Sequence, residues 1–143
     1  MSVTSRAGRA GRAGRAGRAG RAVERYIELI NARRYDEIAD IFAEDAEFLA
    51  PTGRTLRGRE SIRAFYGAGL RKISPEKVWI HSSVTEDDRC VIEIAARLPG
   101  DPEDARHIVV DHFTVDEAGL VTRMAVYLRP EEVRNTAERL GPE

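Results

Sequence analysis

KVWIHSSVT (77–85), RCVIEIAARL (89–98), HIVVDHFTV (107–115) and LVTRMAVYL (120–128) are the four segments that decide the fold of this chain. Each is rich in valine, isoleucine or other residues that pack well on a pleated surface, and each has the length of a strand. Short groups of turn-forming residues separate them: Glu86-Asp87-Asp88, Pro99-Gly100-Asp101-Pro102 and Asp116-Glu117-Ala118-Gly119. Because consecutive strands joined by short loops pair side by side, the sequence predicts an antiparallel meander.

Apolar residues at helical spacing precede these strands. They predict three helices. The first carries Val23, Tyr26, Ile27 and Ile30, and a second over 36–43 carries Ile38, Ile41 and Phe42. A third helix after Gly58 carries Ile62, Phe65, Tyr66 and Leu70. A short strand is predicted over 47–50, and a C-terminal helix begins at Pro130-Glu131-Glu132, since proline and acidic residues suit a first turn. Helices followed by a curved sheet form an α+β arrangement. We expect a cone-shaped antiparallel or mixed sheet wrapped around the N-terminal helices.

Length and composition are those of one globular domain. The chain has 143 residues, of which 42% are hydrophobic and 33% are charged. A single cysteine, Cys90, excludes an internal disulfide and fits a reducing compartment such as the cytoplasm. No apolar run approaches the ~18 residues of a membrane span, so we expect no membrane partner.

A repeat of alanine, glycine and arginine occupies the N-terminus. Its six arginines carry +6 without any acid, which leaves −7 for the remainder of a chain whose total charge is −1. The repeat has no large apolar residue, and its glycines disfavour a helix. We therefore predict a disordered tail over 1–21 and a folded domain over 22–143. The arginines either contact nucleic acid or another acidic surface non-specifically or have no role, and the acidic domain itself is not expected to bind nucleic acid.

Asp111 and Tyr26 are the first candidate functional residues. Val109, Asp111 and Phe113 share one face of a strand, because side chains alternate along it. If that face is the interior, Asp111 is desolvated, and its protonated form can donate a hydrogen bond. Alternatively, Asp111 faces solvent or pairs with an arginine. Tyr26 is either a core residue on the first helix or a hydrogen-bond donor to a ligand.

Several segments of the chain also resemble a known family. They occur in the order and near-spacing of bacterial Δ5-3-ketosteroid isomerases, and the resemblance covers about residues 22–129: VERY (23–26), DIFAEDA (40–46), APTG (50–53), IRAFY (62–66), and DHF (111–113) followed by AG (118–119). The family belongs to the SnoaL-like superfamily, whose fold is that of nuclear transport factor 2 and is also called cystatin-like. The resemblance implies the same α+β cone.

The resemblance also implies an activity and a site. Ketosteroid isomerases move a double bond into conjugation with a steroid ketone through a dienolate. By position, Tyr26 and a protonated Asp111 would form the oxyanion hole, with Tyr66 hydrogen-bonded behind Tyr26. The implied partners are a small apolar polycyclic ligand and a second copy of the chain, packed through the sheet as a homodimer. No metal or cofactor is implied. The substrate pocket would be lined by Tyr66, Phe65, Ile94, Val109, Phe113, Met124 and Leu128.

The general base of the family is missing. Where the isomerases have Asp-Pro on the first strand, this chain has Ala50-Pro51. Strand alternation places Phe48 and Ala50 inward and Glu47 outward, so Glu47 cannot replace the base. A positioned base is worth ~10²–10⁴-fold in rate. The chain is then an engineered base knockout, a natural relative that binds without isomerising, or a slow enzyme that uses water or a substrate group as its base.

Other readings of the sequence remain. A polyketide-cyclase-like enzyme or an epoxide hydrolase on the same fold is one alternative, although the acids these would need are not recognised here. A non-catalytic binding module is another. His107 and His112 lie five apart on one strand and point to opposite faces, so with His81 they are predicted to be structural or solvent-facing and not metal ligands. Cys90 is predicted to be an inert buried thiol.

Overall fold

A six-stranded curved sheet forms the body of the molecule. The computed structural model describes residues 17–141. The spatial order of the strands is β2-β1-β6-β5-β4-β3, and every neighbouring pair is antiparallel except β1 and β6, which are parallel. The mixed sheet and the α+β class therefore agree with the prediction. The strands are β1 (Phe42–Leu49), β2 (Thr55–Arg57), β3 (Lys77–Glu86), β4 (Arg89–Arg97), β5 (His107–Val115) and β6 (Val121–Tyr127).

Helices cover the concave face of this sheet. They are α1 (Arg18–Asn31), a 3₁₀ helix (Tyr35–Ile41), α2 (Arg59–Ile73) and α3 (Pro130–Leu140). The apolar stripes of α1 and α2 pack against the sheet, and the core lies between the two layers. Pro130 stands at the start of α3 with Glu131 and Glu132 in its first turn, where the free amide groups and the helix dipole favour acids.

The segment before β1 differs from the prediction. Tyr35–Ile41 is a 3₁₀ helix, and the strand begins at Phe42, whereas we predicted a helix to Ala43 and a strand only from Glu47. Ile38 and Ile41 lie three residues apart, which suits the three-residue turn of a 3₁₀ helix as well as an α-helix. Parallel pairing with β6 extends the strand back to Phe42. The short strand β2 was also not predicted.

The folded domain begins earlier than the expected boundary between residues 21 and 22. Helix α1 starts at Arg18, so residues 18–21 of the predicted tail are helical. Ala19 is fully buried in the core, and the three-residue repeat places its small side chain on the same face as Val23. Burial of this face offsets the poor helix propensity of Gly20. The predicted disorder of residues 1–16, and residues 142–143, lie outside the described part of the chain.

Candidate functional site

A cavity of about 180 Å³ lies between the concave face of the sheet and the helices. It is larger than the ~150 Å³ cavity that accepts benzene in an engineered protein core. Apolar side chains from two helices and five strands form most of its wall, so it suits a flat, apolar molecule. Among them are Ile30, Phe48, Pro51, Phe65, Leu70, Ile73, Val78, Ile94, Val109, Val126 and Leu128.

Two tyrosines stand at the deep end of the cavity. Tyr26 of α1 and Tyr66 of α2 are both buried, and their hydroxyl oxygens are 2.9 Å apart. The Tyr66 hydroxyl lies 3.5 Å from Met124 Sδ as well, so its single proton is donated either to Met124 or to Tyr26. Burial and the neighbouring Asp111 raise the pKa of both phenols, so each keeps its proton at neutral pH. The pair can therefore donate hydrogen bonds to an acceptor in the cavity.

Asp111 completes the deep end. Its residue is only 2% exposed, and among residues 17–141 no group hydrogen-bonds to Oδ1. Desolvation raises the pKa of Asp111 to about 8. The carboxyl is thus neutral at pH 7, and of the two orientations open from the sequence the structure has the interior one. A protonated acid with no partner can donate to a ligand oxygen.

Strand alternation explains why Asp111 reaches the cavity. Asp111 pairs with Ile92 of β4 and Val126 of β6, and all three side chains point toward the helices. Two residues further along β5, Phe113 packs edge-on against Tyr26, with ring centroids 5.2 Å apart and an interplanar angle of 71°. This contact holds the tyrosine ring in place beside the carboxyl.

Most of the predicted pocket residues line the cavity, but two do not. Tyr66, Phe65, Ile94, Val109 and Leu128 lie in its wall together with Tyr26 and Asp111.

Phe113 and Met124 were predicted to line it and are instead fully buried behind the tyrosines. They pair across β5 and β6 at the narrow end of the cone, where the facing layers leave no open space. Their side chains support Tyr26 and Tyr66 and do not face the cavity.

Ala50 lies beside the cavity just after β1. It is buried, and its amide donates to the Arg54 carbonyl at 2.8 Å in the turn that follows. Its neighbours Phe48 and Pro51 line the cavity. Glu47 points to the other face, where it pairs with Arg57 at 2.6 Å. The predicted alternation along β1 is therefore correct, and the carboxylate of Glu47 is directed away from the site.

Polar side chains surround the other end of the cavity. We call this group the mouth cluster. It was not predicted: His107 was expected to be structural or solvent-facing, and α3 was not expected near the site. The signal was nevertheless in β5, because His107 has the same parity as Asp111. The cluster consists of Asp101, His107, Glu132, Asn135, Thr136 and Arg139.

His107 is the centre of the mouth cluster. Its Nδ1 lies 2.9 Å from both carboxylate oxygens of Glu132, and its Nε2 lies 3.3 Å from Asp101. Burial alone would lower the pKa of His107, but the hydrogen bonds to Glu132 and Asp101 outweigh it and raise the pKa. Arg139 Nη2 lies 3.6 Å from Asp101, and Arg129 Nη2 lies 4.0 Å from Glu132. Each of the two nearly buried carboxylates therefore has an arginine beside it as well as the ring of His107.

The remaining candidates are as follows. Cys90 is buried, burial raises the pKa of its thiol, and the Thr85 hydroxyl donates to Sγ at 3.3 Å. This environment is typical of an inert buried thiol and not of a nucleophile. Within residues 17–141, no group of three or more His, Cys, Asp or Glu side chains is arranged so that it could hold a metal ion. None of the helices described has the length and apolarity needed to cross a membrane.

Comparison with known proteins shows which family the chain is similar to. Residues 23–124 match the SnoaL-like domain. A steroid Δ-isomerase of Nocardioides simplex is 32% identical over 119 residues, which are 78% of this chain and 90% of that protein. The crystal structure of a steroid Δ-isomerase from Pseudomonas aeruginosa superposes with a TM-score of 0.70 at 19% identity, covering 87% of this chain and 89% of that one.

A second solved structure extends the likeness in fold. A Silicibacter pomeroyi protein with a cystatin-like fold gives a TM-score of 0.68 at 21% identity, over 83% of this chain and 82% of that one. At such identities the two structures show the shared fold alone. The family follows from the domain match and the 32% identical relative: the chain is a member of the SnoaL-like domain family, with the curved-sheet fold of nuclear transport factor 2.

Proposed function

We propose that this protein is a steroid Δ-isomerase-like protein that binds a flat apolar ketone or phenol, with the ligand oxygen held by Tyr26 and Asp111. One observation carries the proposal. A neutral, unpartnered carboxyl and a buried tyrosine pair stand together at the closed end of an apolar cavity. The 32% identical steroid Δ-isomerase supports the steroid class of ligand.

The proposed chemistry is the stabilisation of a dienolate. A proton leaves the carbon between the ketone and the double bond and returns at the far end of the conjugated system, while negative charge develops on the ketone oxygen. Tyr26 and protonated Asp111 each donate a hydrogen bond to that oxygen. In a water-excluded site such donors act most strongly where charge develops. When Tyr66 turns its single proton from Met124 to Tyr26, the Tyr26 proton is free to point at the ligand.

Ala50 limits the rate of this reaction. A methyl side chain cannot carry the proton between the two carbons, so we infer an isomerase that is weakly active or one that reacts only through water. The same observation favours the second candidate, a small-molecule binding protein that holds an enol or phenol without converting it. A cyclase-like activity would need an acid–base group near Ala50, and Glu47 faces away.

Restoring the base tests whether Ala50 occupies its position, and the rate of the wild-type protein in the same assay separates a slow isomerase from a protein that only binds. We expect Ala50→Asp to raise the rate of isomerisation of a Δ5-3-ketosteroid by at least ~10², measured by the absorbance of the conjugated product. Ala50→Asn is the matched control, because it has nearly the same shape without a base. Equal rates for the two variants would contradict the assignment of Ala50 to the position of the base.

We also propose that the protein is a cytoplasmic homodimer. The single cysteine supports a reducing compartment. The dimer is supported by the outer face of the sheet, where alternation and register bring apolar side chains together. We call this group the outer patch: Trp79, Val84, Val91, Ile108, Val110 and Tyr127. The ligand would lie on the opposite side of the sheet.

A further inference from the structure

The mouth cluster presents two polar groups with unused hydrogen-bonding capacity. Thr136 lines the cavity, and within residues 17–141 no hydrogen bond of its hydroxyl is found. Arg139 is held loosely: Nε donates to Asn135 Oδ1 at 3.3 Å and Nη1 to the Pro99 carbonyl at 3.4 Å, while Nη2 lies 3.6 Å from Asp101. A guanidinium has five N–H groups, so some remain for a ligand.

The carboxylates of the cluster are, by contrast, already engaged. Glu132 and Asp101 lie on the two ring nitrogens of His107, and their side chains are only 10% and 7% exposed. Asn135 donates to Glu132 at 3.4 Å and accepts from Arg139. These contacts fix the first turn of α3 over the cavity. They leave Thr136 and Arg139, one and two turns beyond Glu132, as further donors of α3 that line the cavity.

The spacing of the two polar ends defines an elongated ligand. His107 and Asp111 are four residues apart on β5, which is about 13 Å along an extended strand. Val109 lies between them on the same face, and the wall between the two ends is apolar. A molecule that fills the cavity thus meets donors at each end and only apolar contact in between.

We propose that Thr136 and Arg139 form a second subsite, which hydrogen-bonds an acceptor oxygen at the end of the ligand remote from Asp111. This inference rests on the proposed function, and it narrows the ligand class to flat, apolar molecules with an oxygen at both ends. Because the carboxylates of Asp101 and Glu132 stand beside the subsite, they disfavour an anion there, and the second oxygen belongs to a neutral group, a ketone or a hydroxyl.

Two matched probes test the subsite. Equilenin is a tetracyclic phenol with a ketone at its far end, and its deoxo analogue has a methylene there. We expect the wild-type protein to bind equilenin about tenfold more tightly than the analogue, the value of a hydrogen bond to a charged group. Thr136→Val and Arg139→Gln should each reduce that ratio to below about threefold.

Controls separate this subsite from the rest of the molecule. Thr136→Ser retains a hydroxyl and should retain the ratio, and so should Glu138→Gln on the exposed face of the same helix. A mere loss of α3 packing would change both affinities and leave the ratio as it is. A wild-type ratio near one, or a tenfold ratio that Thr136→Val and Arg139→Gln both preserve, overturns the proposal.

A different measurement with the same two probes tests the proposed function. Tyr26→Phe should weaken the binding of both probes equally and leave their ratio unchanged, because Tyr26 contacts the phenol that they share. If Tyr26→Phe changes neither affinity, the Tyr26–Asp111 site is wrong, whatever the ratio. If it weakens both and the wild-type ratio is one, the site is correct and the second subsite is not.

Discussion

Asp111 is kept neutral by the cavity that surrounds it. Its pKa of about 8 arises from desolvation alone, and the groups that face it are the neutral hydroxyls of Tyr26 and Tyr66. A carboxyl whose pKa rises from 3.8 to about 8 on folding binds a proton more tightly in the folded state. Its contribution to stability is therefore complete below pH 4 and is lost as the pH rises through 8.

The pH dependence of stability tests this directly. Asp111→Asn preserves the shape but does not titrate. Between about pH 4.5 and 7.5, we expect the unfolding free energy of the wild type to fall relative to that of Asp111→Asn by about 1.4 kcal/mol per pH unit. Urea unfolding of both proteins across this range measures the difference. A difference that does not change with pH would mean that Asp111 titrates near its ordinary pKa.

Phenol binding tests the two proposed donors. Tyr26→Phe should weaken equilenin binding about tenfold, and combination with Asp111→Leu should weaken it by ~10² or more, because hydrogen bonds in an apolar site are then lost. Tyr35→Phe is the control, since Tyr35 is buried outside the cavity and its hydroxyl contacts Arg33 at 3.4 Å. Fluorescence titration gives the affinities. Equal weakening by Tyr35→Phe would indicate a structural effect.

For single residues, the sequence correctly predicted the features that local periodicity determines. Tyr26 on the apolar stripe of α1 and Asp111 on the inward face of β5 follow from helical and strand periods. The depth of a side chain along the cone cannot be predicted in this way, because the period assigns a residue to a face and not to a distance from the closed end. Phe113 and Met124 were accordingly assigned to the pocket although they lie behind the tyrosines.

At the level of helices and strands, the side chain of Asn31 links α1 to the edge strand β3 by hydrogen bonds. Asn31, the last residue of α1, donates from Nδ2 to the Val78 carbonyl at 2.9 Å and accepts at Oδ1 from the Val78 amide at 2.8 Å. The amide of Asn31 thus occupies backbone groups that a further strand would otherwise pair with. In the sequence it is recognisable only as the residue where the helical pattern of α1 ends.

Removal of this contact should destabilise the fold. We expect Asn31→Ala to lower the unfolding free energy by about 2 kcal/mol, since two partly buried backbone groups lose their partner. Hydrogen exchange should locate the effect, with faster exchange at the Val78 amide than at the amides of β5. Asn135→Ala, which removes an amide from another helix, is the control and should not change exchange at Val78. Unchanged exchange at Val78 in Asn31→Ala would contradict the role of this contact.

Element prediction succeeded where pairing is local. The predicted bounds of β5 agree with the structure, those of β3 and β4 differ by one residue at one end, and those of β6 differ by one residue at each end. The start of β1 was missed because its partner is β6, almost eighty residues later in the chain, and no local pattern records that pairing. The placement of α3 over the cavity depends on Glu132 meeting His107, which is equally non-local.

In the molecule as a whole, the two faces of the sheet differ in what they present. The concave face of the sheet holds the cavity, and the convex face carries the outer patch, in which Val84 is 71% and Tyr127 is 55% exposed. Contiguous apolar patches at a surface mark sites that a partner covers. One carboxylate lies among these side chains: Glu93 pairs with Val110 across β4 and β5 and accepts a hydrogen bond from the Ser82 hydroxyl.

A homodimer through the outer patch is the prediction that follows. Light scattering after size exclusion should give about twice the 15.9 kDa mass of the chain. Val84→Asp and Tyr127→Asp should each shift the protein toward the monomer, because a charge desolvated without a partner at an interface is costly. Both positions are exposed in the single chain, so its folding should change little. Ala118→Asp in the exposed β5–β6 turn is the control and should remain dimeric. A monomeric wild type, or a dimer that survives both substitutions, would show that the convex face is not the interface.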